Sequence, residues 1–202
     1  MLYTPMELAE IVSTRIAHDL GGTIGALGSA LELIAENNNV MDADTQKIIT
    51  SAANTLKARQ RFLRIAFGLD TKANNSEELK KICEDYITTF GNPATPLELN
   101  INTISPEIAK LVFLCVMTAA DVCMRGGKIS IEINKNNMTL NVASDYKLVA
   151  GKIAVYKDII NGNKPQEYIS QYVQLIYLRE LLGNDVPMQL NVSENEMTLI
   201  IG

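Results

Sequence analysis

The chain has 202 residues, with 23 acidic side chains against 18 basic ones and a net charge of −5. A sequence pI near 5.0 excludes a general nucleic-acid binder, whose phosphate contacts need clustered Lys and Arg. No apolar run reaches the ~18 residues of a membrane span, and Met1 to Leu8 lacks a basic region ahead of an apolar stretch, so no signal peptide is expected and the cytoplasm is the default.

The first predicted element is a helix opening near Thr4, with Pro5 at a helix-starting position, and running to about Glu36. Leu20, Ile24, Leu27, Leu31 and Ile34 recur at steps of four and three, the seam of a helix packed along another. The chain's one histidine, His18, precedes that seam. At roughly 100° per residue it lies about 160° round the helix from Leu20 and points to solvent. Gly21, Gly22 and Gly25 follow on its face. Each glycine costs a helix about 1 kcal/mol relative to alanine, so a bare strip beside an exposed imidazole suggests close approach by another macromolecule. Asp19 is placed to accept a hydrogen bond from one ring nitrogen and leave the other as a free lone pair, as a phosphoryl acceptor requires.

Asn37-Asn-Asn39 ends the first helix, and Asp42 or Asp44 caps a second, with a seam of Ile48, Ala52, Leu56, Leu63 and Ala66 and a stop at Gly68. Two long helices on a short loop make an antiparallel hairpin. Its apolar stripe is two-sided, and pairing two hairpins into a four-helix bundle covers it economically. From Asp70 to Ser76 the pattern turns polar, a hinge between domain 1–70 and domain 76–202. A helix then carries Leu79, Ile82, Cys83, Tyr86 and Phe90 on one face. Gly91 to Pro96 breaks it, Leu97 to Ile101 alternates as a strand, and Ser105-Pro106-Glu107 opens an apolar helix to about Met124.

After Gly126-Gly127 come two period-two strands, Ile129 to Ile133 and Met138 to Val142, joined by Asn136-Asn137. Residues 145 to 160 read as more helical than extended, 161 to 165 as a loop, Glu167 to Leu182 as a helix, and Met188 to Val192 with Met197 to Ile201 as a final hairpin. The fold class is α+β, with helices on one side of a mixed or antiparallel sheet. Cys83, Cys115 and Cys123 sit in apolar helical patterns, so free buried thiols are expected rather than disulfides. One histidine without a close cysteine pair leaves zinc few ligands.

Arg15-Ile-Ala-His18-Asp19-Leu20, with Gly25-Ala26 and Leu31-Glu32-Leu33 beyond it, resembles the phosphoacceptor helix of two-component histidine kinases, and more specifically that of the ChpT-type histidine phosphotransferases. Where those families carry a helix-bending proline five residues after the histidine, this chain has Thr23. The order of the later elements resembles the GHKL-type ATP-binding domain of histidine kinases, which makes it a degenerate ATPase-like α/β sandwich. The magnesium-binding asparagine of kinases is replaced in Thr118-Ala-Ala-Asp121, and the Asp-x-Gly-x-Gly loop by Ala143-Ser-Asp-Tyr-Lys-Leu148. The glycine-rich lid is reduced to Asn161-Gly-Asn-Lys-Pro165. Glycine-poor loops do not cradle phosphates, and Asp121 and Asp145, as isolated carboxylates, are expected on the surface.

The resemblance implies a homodimeric phosphotransferase of a phosphorelay. His18 is the phosphoacceptor, Asp19 orients it, and Arg15, Gly22 and Gly25 face the partner. The partners it implies are response-regulator receiver domains and a hybrid histidine kinase's receiver. No cofactor, ATP, nucleic acid or membrane is expected on this chain, and magnesium comes from the receiver's acidic pocket. Lys57, Arg59, Arg61 and Arg64 are expected as a docking rim or a solvated helix face. Two alternatives are an active histidine kinase or ATPase, and a non-catalytic dimeric scaffold that holds response regulators.

Overall fold

The computed structural model describes residues 2–68, 75–90, 94–135, 137–166 and 169–202. Helix α1 spans Pro5–Glu36 and α2 spans Ala43–Phe67. Thr4 opens α1 through a reciprocal pair: its hydroxyl accepts from the Glu7 amide at 3.2 Å, and its own amide donates to Glu7 Oε2 at 2.7 Å. At the other end Asn38 and Asn39 adopt positive φ of 52° and 63°, the left-handed conformation asparagine tolerates better than most residues. Asp42 caps α2 by accepting from the Thr45 amide at 2.7 Å. The hairpin read from the sequence is present with the expected ends.

The rest of the chain follows in the order α3 (Ser76–Ile87), β1 (Leu97–Ile101), α4 (Ala109–Val122), β2 (Gly127–Ile133), β3 (Met138–Ser144), α5 (Ala150–Ile160), α6 (Val173–Leu182), β4 (Met188–Val192) and β5 (Glu196–Ile201). The five strands form one mixed sheet in the order β1-β2-β3-β5-β4, with β1 parallel to β2 and the other neighbours antiparallel. Gly126 and Gly127 turn the chain from α4 into β2 at φ of 121° and 140°, and a Cβ on Gly127 would meet the Ala143 carbonyl oxygen at 2.4 Å. The hinge expected at 70–76 falls largely outside the described residues, as do Asn136 of the β2–β3 turn and the first two residues of the helix expected from Glu167. The remainder of that helix is divided into a 3-10 turn, Ile169–Tyr172, and α6. The helix expected to open at Ser105 begins instead at Ala109, after a turn through residues 106–108.

One apolar cluster unites the two halves. Phe62 of α2 stacks on Tyr86 of α3 at 3.6 Å between ring centroids and on Phe113 of α4 at 4.7 Å. Phe62, Leu63, Ile65 and Ala66 are buried with α3 and α4, so the lower end of the hairpin is part of the same core as the sheet-covering helices. α4 is its centre: all residues from Val112 to Ala120 are buried. The upper part of the hairpin, by contrast, stands clear, with Ile24, Leu31 and Ile48 exposed. The three cysteines are buried free thiols, and burial pushes the Cys115 thiol up to about 12. Among the described residues no helix is long and apolar enough to cross a membrane.

Candidate functional site

His18 lies midway along α1, and 85% of its side chain is accessible to solvent. The outward direction follows from helical periodicity: Arg15, Thr23 and Ala30 are the buried residues of α1, and at about 100° per residue His18 lies off the stripe they define. The glycines that follow are open as well. A Cβ added at Gly21, Gly22, Gly25 or Gly28 would meet nothing within 4 Å. Among the described residues no packing contact therefore requires glycine at these four positions, and none offsets their cost to the helix. Gly22 also edges a shallow groove between α1 and α2, lined by Thr23, Ala26, Ile48, Ala52 and Arg59 among others.

The ring's nearest polar neighbour is Asp19. His18 Nδ1 lies 3.3 Å from Asp19 Oδ1, and the other carboxylate oxygen, Oδ2, accepts from Arg15 Nε at 2.8 Å. Asp19 is far more enclosed than the ring it faces, with 14% of its side chain accessible. Its backbone carbonyl accepts a further bond from Arg59 Nη1 of α2, at 2.7 Å. Arg59 is tied in turn to the end of α3, donating to Thr89 Oγ1 at 3.2 Å and lying over the Phe90 ring at 5.3 Å. The solvated helix face expected for the second helix is thus corrected for Arg59, which is drawn inward by these partners. Arg61 pairs with Glu78, and Lys57 borders a cleft between α2 and α3.

Arg15 departs most from expectation. A role on the partner-facing surface needs a guanidinium in water, yet this one is buried. The i, i+4 spacing to Asp19 draws the side chain round the helix, where Nη1 donates to the Gln171 carbonyl at 3.0 Å and Nη2 to Asp121 Oδ1 and Oδ2 at 3.1 and 3.4 Å. Burial by itself would lower its pKa, but the adjacent Asp121 and Asp19 carboxylates outweigh that and hold the guanidinium charged.

Asp121 is the second correction. Expected on the surface, it projects from the last turn of α4 with only 10% of its side chain accessible. Gln174 Nε2 of α6 donates to Oδ2 at 2.6 Å, and Lys152 Nζ of α5 donates to its carbonyl at 2.9 Å. Burial pushes the Asp121 carboxyl up, with Arg15 and Lys152 pulling it back. A trace of this is present in the sequence: Asp121 is the one acidic residue in the mostly apolar stretch 109–124. Asp145 is exposed as expected. Among the described residues no group of three or more His, Cys, Asp or Glu side chains converges as a metal site would require. The described site is therefore an exposed imidazole on a bare helical strip, backed by a file of alternating charges that runs inward through Asp19, Arg15 and Asp121.

No protein-family model matches the chain. It is 23% identical over 194 residues, 93% of its own length and 90% of the relative's, to the protein phosphotransferase ChpT of Brucella abortus (strain 2308). Among solved structures, a bacterial phosphotransferase superposes with a TM-score of 0.77 at 20% identity, covering 99% of this chain and 98% of that one. The Acinetobacter baumannii histidine kinase AdeS gives a TM-score of 0.46 at 17% identity over 91% of this chain and 95% of that one. The resemblance to ChpT-type phosphotransferases first read from the residues around His18 is accordingly a resemblance of nearly the whole chain, in sequence and in fold.

Proposed function

We propose that the chain is a dimeric histidine phosphotransferase of a phosphorelay, with His18 as the phosphoacceptor. The observation that carries this reading is the pairing of an 85% exposed imidazole with a largely enclosed carboxylate at its Nδ1. A neutral ring that donates its Nδ1 proton to Asp19 presents the Nε2 lone pair to solvent. In the transfer, Nε2 attacks the phosphorus of a receiver aspartyl phosphate in line. The P–N bond forms as the P–O bond to the aspartate breaks, the freed carboxylate stays on the receiver, and the positive charge gained by the ring is balanced by Asp19. The reverse step delivers the phosphoryl group to a second receiver. Positioning and charge neutralisation supply most of the catalysis in such transfers, and the magnesium belongs to the receiver's acidic pocket.

Gly22 and Gly25 leave room for the receiver to approach the ring, and their open surroundings support that role. Arg15 acts from behind Asp19 rather than on the partner. The similarity to a protein phosphotransferase over 93% of the chain supports phosphotransfer as the activity. Exposed Ile24, Leu31 and Ile48 on the upper hairpin support pairing of two copies into a four-helix bundle. Against ATP chemistry stands Asp121, at the position aligned above with the kinases' magnesium-binding segment: its carboxylate is already taken by Arg15 and Gln174. The reading places the protein in the cytoplasm with its receivers.

The test is transfer of radiolabel from a phosphorylated receiver domain, or the receiver of a hybrid kinase, to the wild type and to His18→Ala. Labelling of the wild type and none of a folded His18→Ala is the expected result. Labelling from ATP without a receiver would instead identify a kinase, and receiver binding unchanged by His18→Ala, with no labelling of either protein, would identify a scaffold.

A further inference from the structure

We propose that Asp121 is a positioning residue for His18, acting across the junction between the hairpin and the sheet-bearing half through Arg15 and Asp19. The proposal rests on the reading of His18 as the phosphoacceptor and assigns a task to the half of the chain that carries no reacting group. A carboxylate beside an exposed imidazole turns freely about its own axis unless its second oxygen is held. Here it is held: Asp19 Oδ2 receives Arg15 Nε at 2.8 Å, which leaves Oδ1 toward His18 Nδ1 at 3.3 Å.

Arg15 by itself is a poor anchor, because a long side chain surrenders much rotamer freedom when it adopts one geometry. Its other two nitrogens remove that freedom. Nη2 is fixed on Asp121 of α4 and Nη1 on the Gln171 carbonyl ahead of α6, both in the sheet-bearing half. Asp121 is held from three directions, by Arg15, by Gln174 Nε2 at 2.6 Å and, at its backbone oxygen, by Lys152. The planar fork of a guanidinium suits this task, since it reaches two carboxylates and a carbonyl at set angles where an ammonium would act as a single point charge. The orientation of the imidazole is therefore decided about a hundred residues further along the chain, in a helix of the other half.

A single histidine per chain allows a direct reading of the ring. The full-length protein, labelled with nitrogen-15 in the imidazole, gives one pair of ring signals whose shifts report the tautomer of the neutral ring in mildly alkaline buffer. Wild type is expected to carry its proton on Nδ1. Asp121→Asn, which removes the charge, and Arg15→Lys, which keeps the charge but loses the fork, are both expected to move the proton population toward Nε2. Label transfer from a phosphorylated receiver should slow about tenfold, the size typical when a partner that orients a functional ligand is lost, with receiver affinity unchanged. Amide spectra establish that each variant is folded, and if Asp121→Asn does not fold, Arg15→Lys decides. A tautomer unchanged in the folded variants, or a wild-type ring protonated on Nε2, overturns the proposal. If the tautomer moves as expected but no receiver labels the wild type, the positioning stands and the phosphoacceptor reading is what fails.

Discussion

Helices α1 and α4 divide the labour of the molecule. In α1 three of 32 residues are buried, namely Arg15, Thr23 and Ala30. In α4 ten of 14 are. The short helix therefore gains most of its stability from apolar burial, whereas the long one depends on packing along α2, with lesser contacts to the 3-10 turn Ile169–Tyr172 and α6, on its capping box and on the charged anchor at Arg15. What α1 loses in packing it gains in surface: an open histidine, four glycines with vacant surroundings, and isoleucine and leucine side chains left in water. The contrast teaches that the helix we propose for the chemistry is anchored, through Arg15 and Asp121, to a helix built for the core.

The sharpest way to break this contrast is to truncate one side chain in each helix. Phe113→Ala, at a fully buried ring against Phe62, is expected to cost about 3–5 kcal/mol in urea unfolding. Leu31→Ala, at a side chain 61% exposed, is expected to cost less than about 0.5 kcal/mol within the chain. Comparable losses at both sites would remove the distinction.

Next in size comes the effect on self-association. Replacing both Ile24 and Leu31 with aspartate puts charges on the face we propose for pairing, and burying unpaired charges costs several kcal/mol. Sedimentation equilibrium should then show a monomer where the wild type is a dimer, with the circular dichroism of the chain retained. A wild type that sediments as a monomer would remove the bundle from the proposal.

A smaller effect separates stability from docking at the glycine strip. Because nothing lies near its added Cβ, Gly25→Ala is expected to stabilise the helix by about 1 kcal/mol, seen as a higher melting temperature. The same methyl stands on the His18 face, so receiver affinity should fall as stability rises, the trade-off expected where glycine serves binding rather than folding.

The smallest expected effect concerns the start of α1. The Thr4 amide, then Lys164 and the Thr4 hydroxyl, hold the Glu7 carboxyl down to about 2 from its ordinary 4.5. A depressed folded value means that the contribution is fully present above pH 4.5 and is lost as the pH falls through about 2. Unfolding followed against pH should show Glu7→Gln lacking this component of the acid sensitivity, with no change in its response above pH 5.

Much of the fold was legible from residue order. The stop at Asn37 to Asn39 and the cap at Asp42 are local signals written in adjacent side chains, and they set the hairpin's ends correctly. The alternating strands and Gly126-Gly127 did the same for the sheet. The start of α4 was misplaced by the strong local signal of Ser105-Pro106-Glu107, which opens a turn that the helix does not yet join. At the site, the outward direction of His18 and its bare strip followed from angular spacing along one helix. Arg15 and Asp121 did not: the resemblance turns Arg15 toward a partner and the general exposure of aspartate puts Asp121 on the surface, whereas their burial depends on each other across 106 positions.

Sequence alone determined what short range can encode: which segments are helix or strand, where they stop, which face of α1 holds the imidazole, and the family likeness those residues carry. Tertiary structure decided what the charges do. A lone arginine and a lone aspartate are costly to bury separately and tolerable only as a bonded pair, so whether either enters the interior depends on α1 and α4 meeting, and no periodicity within either helix records that meeting.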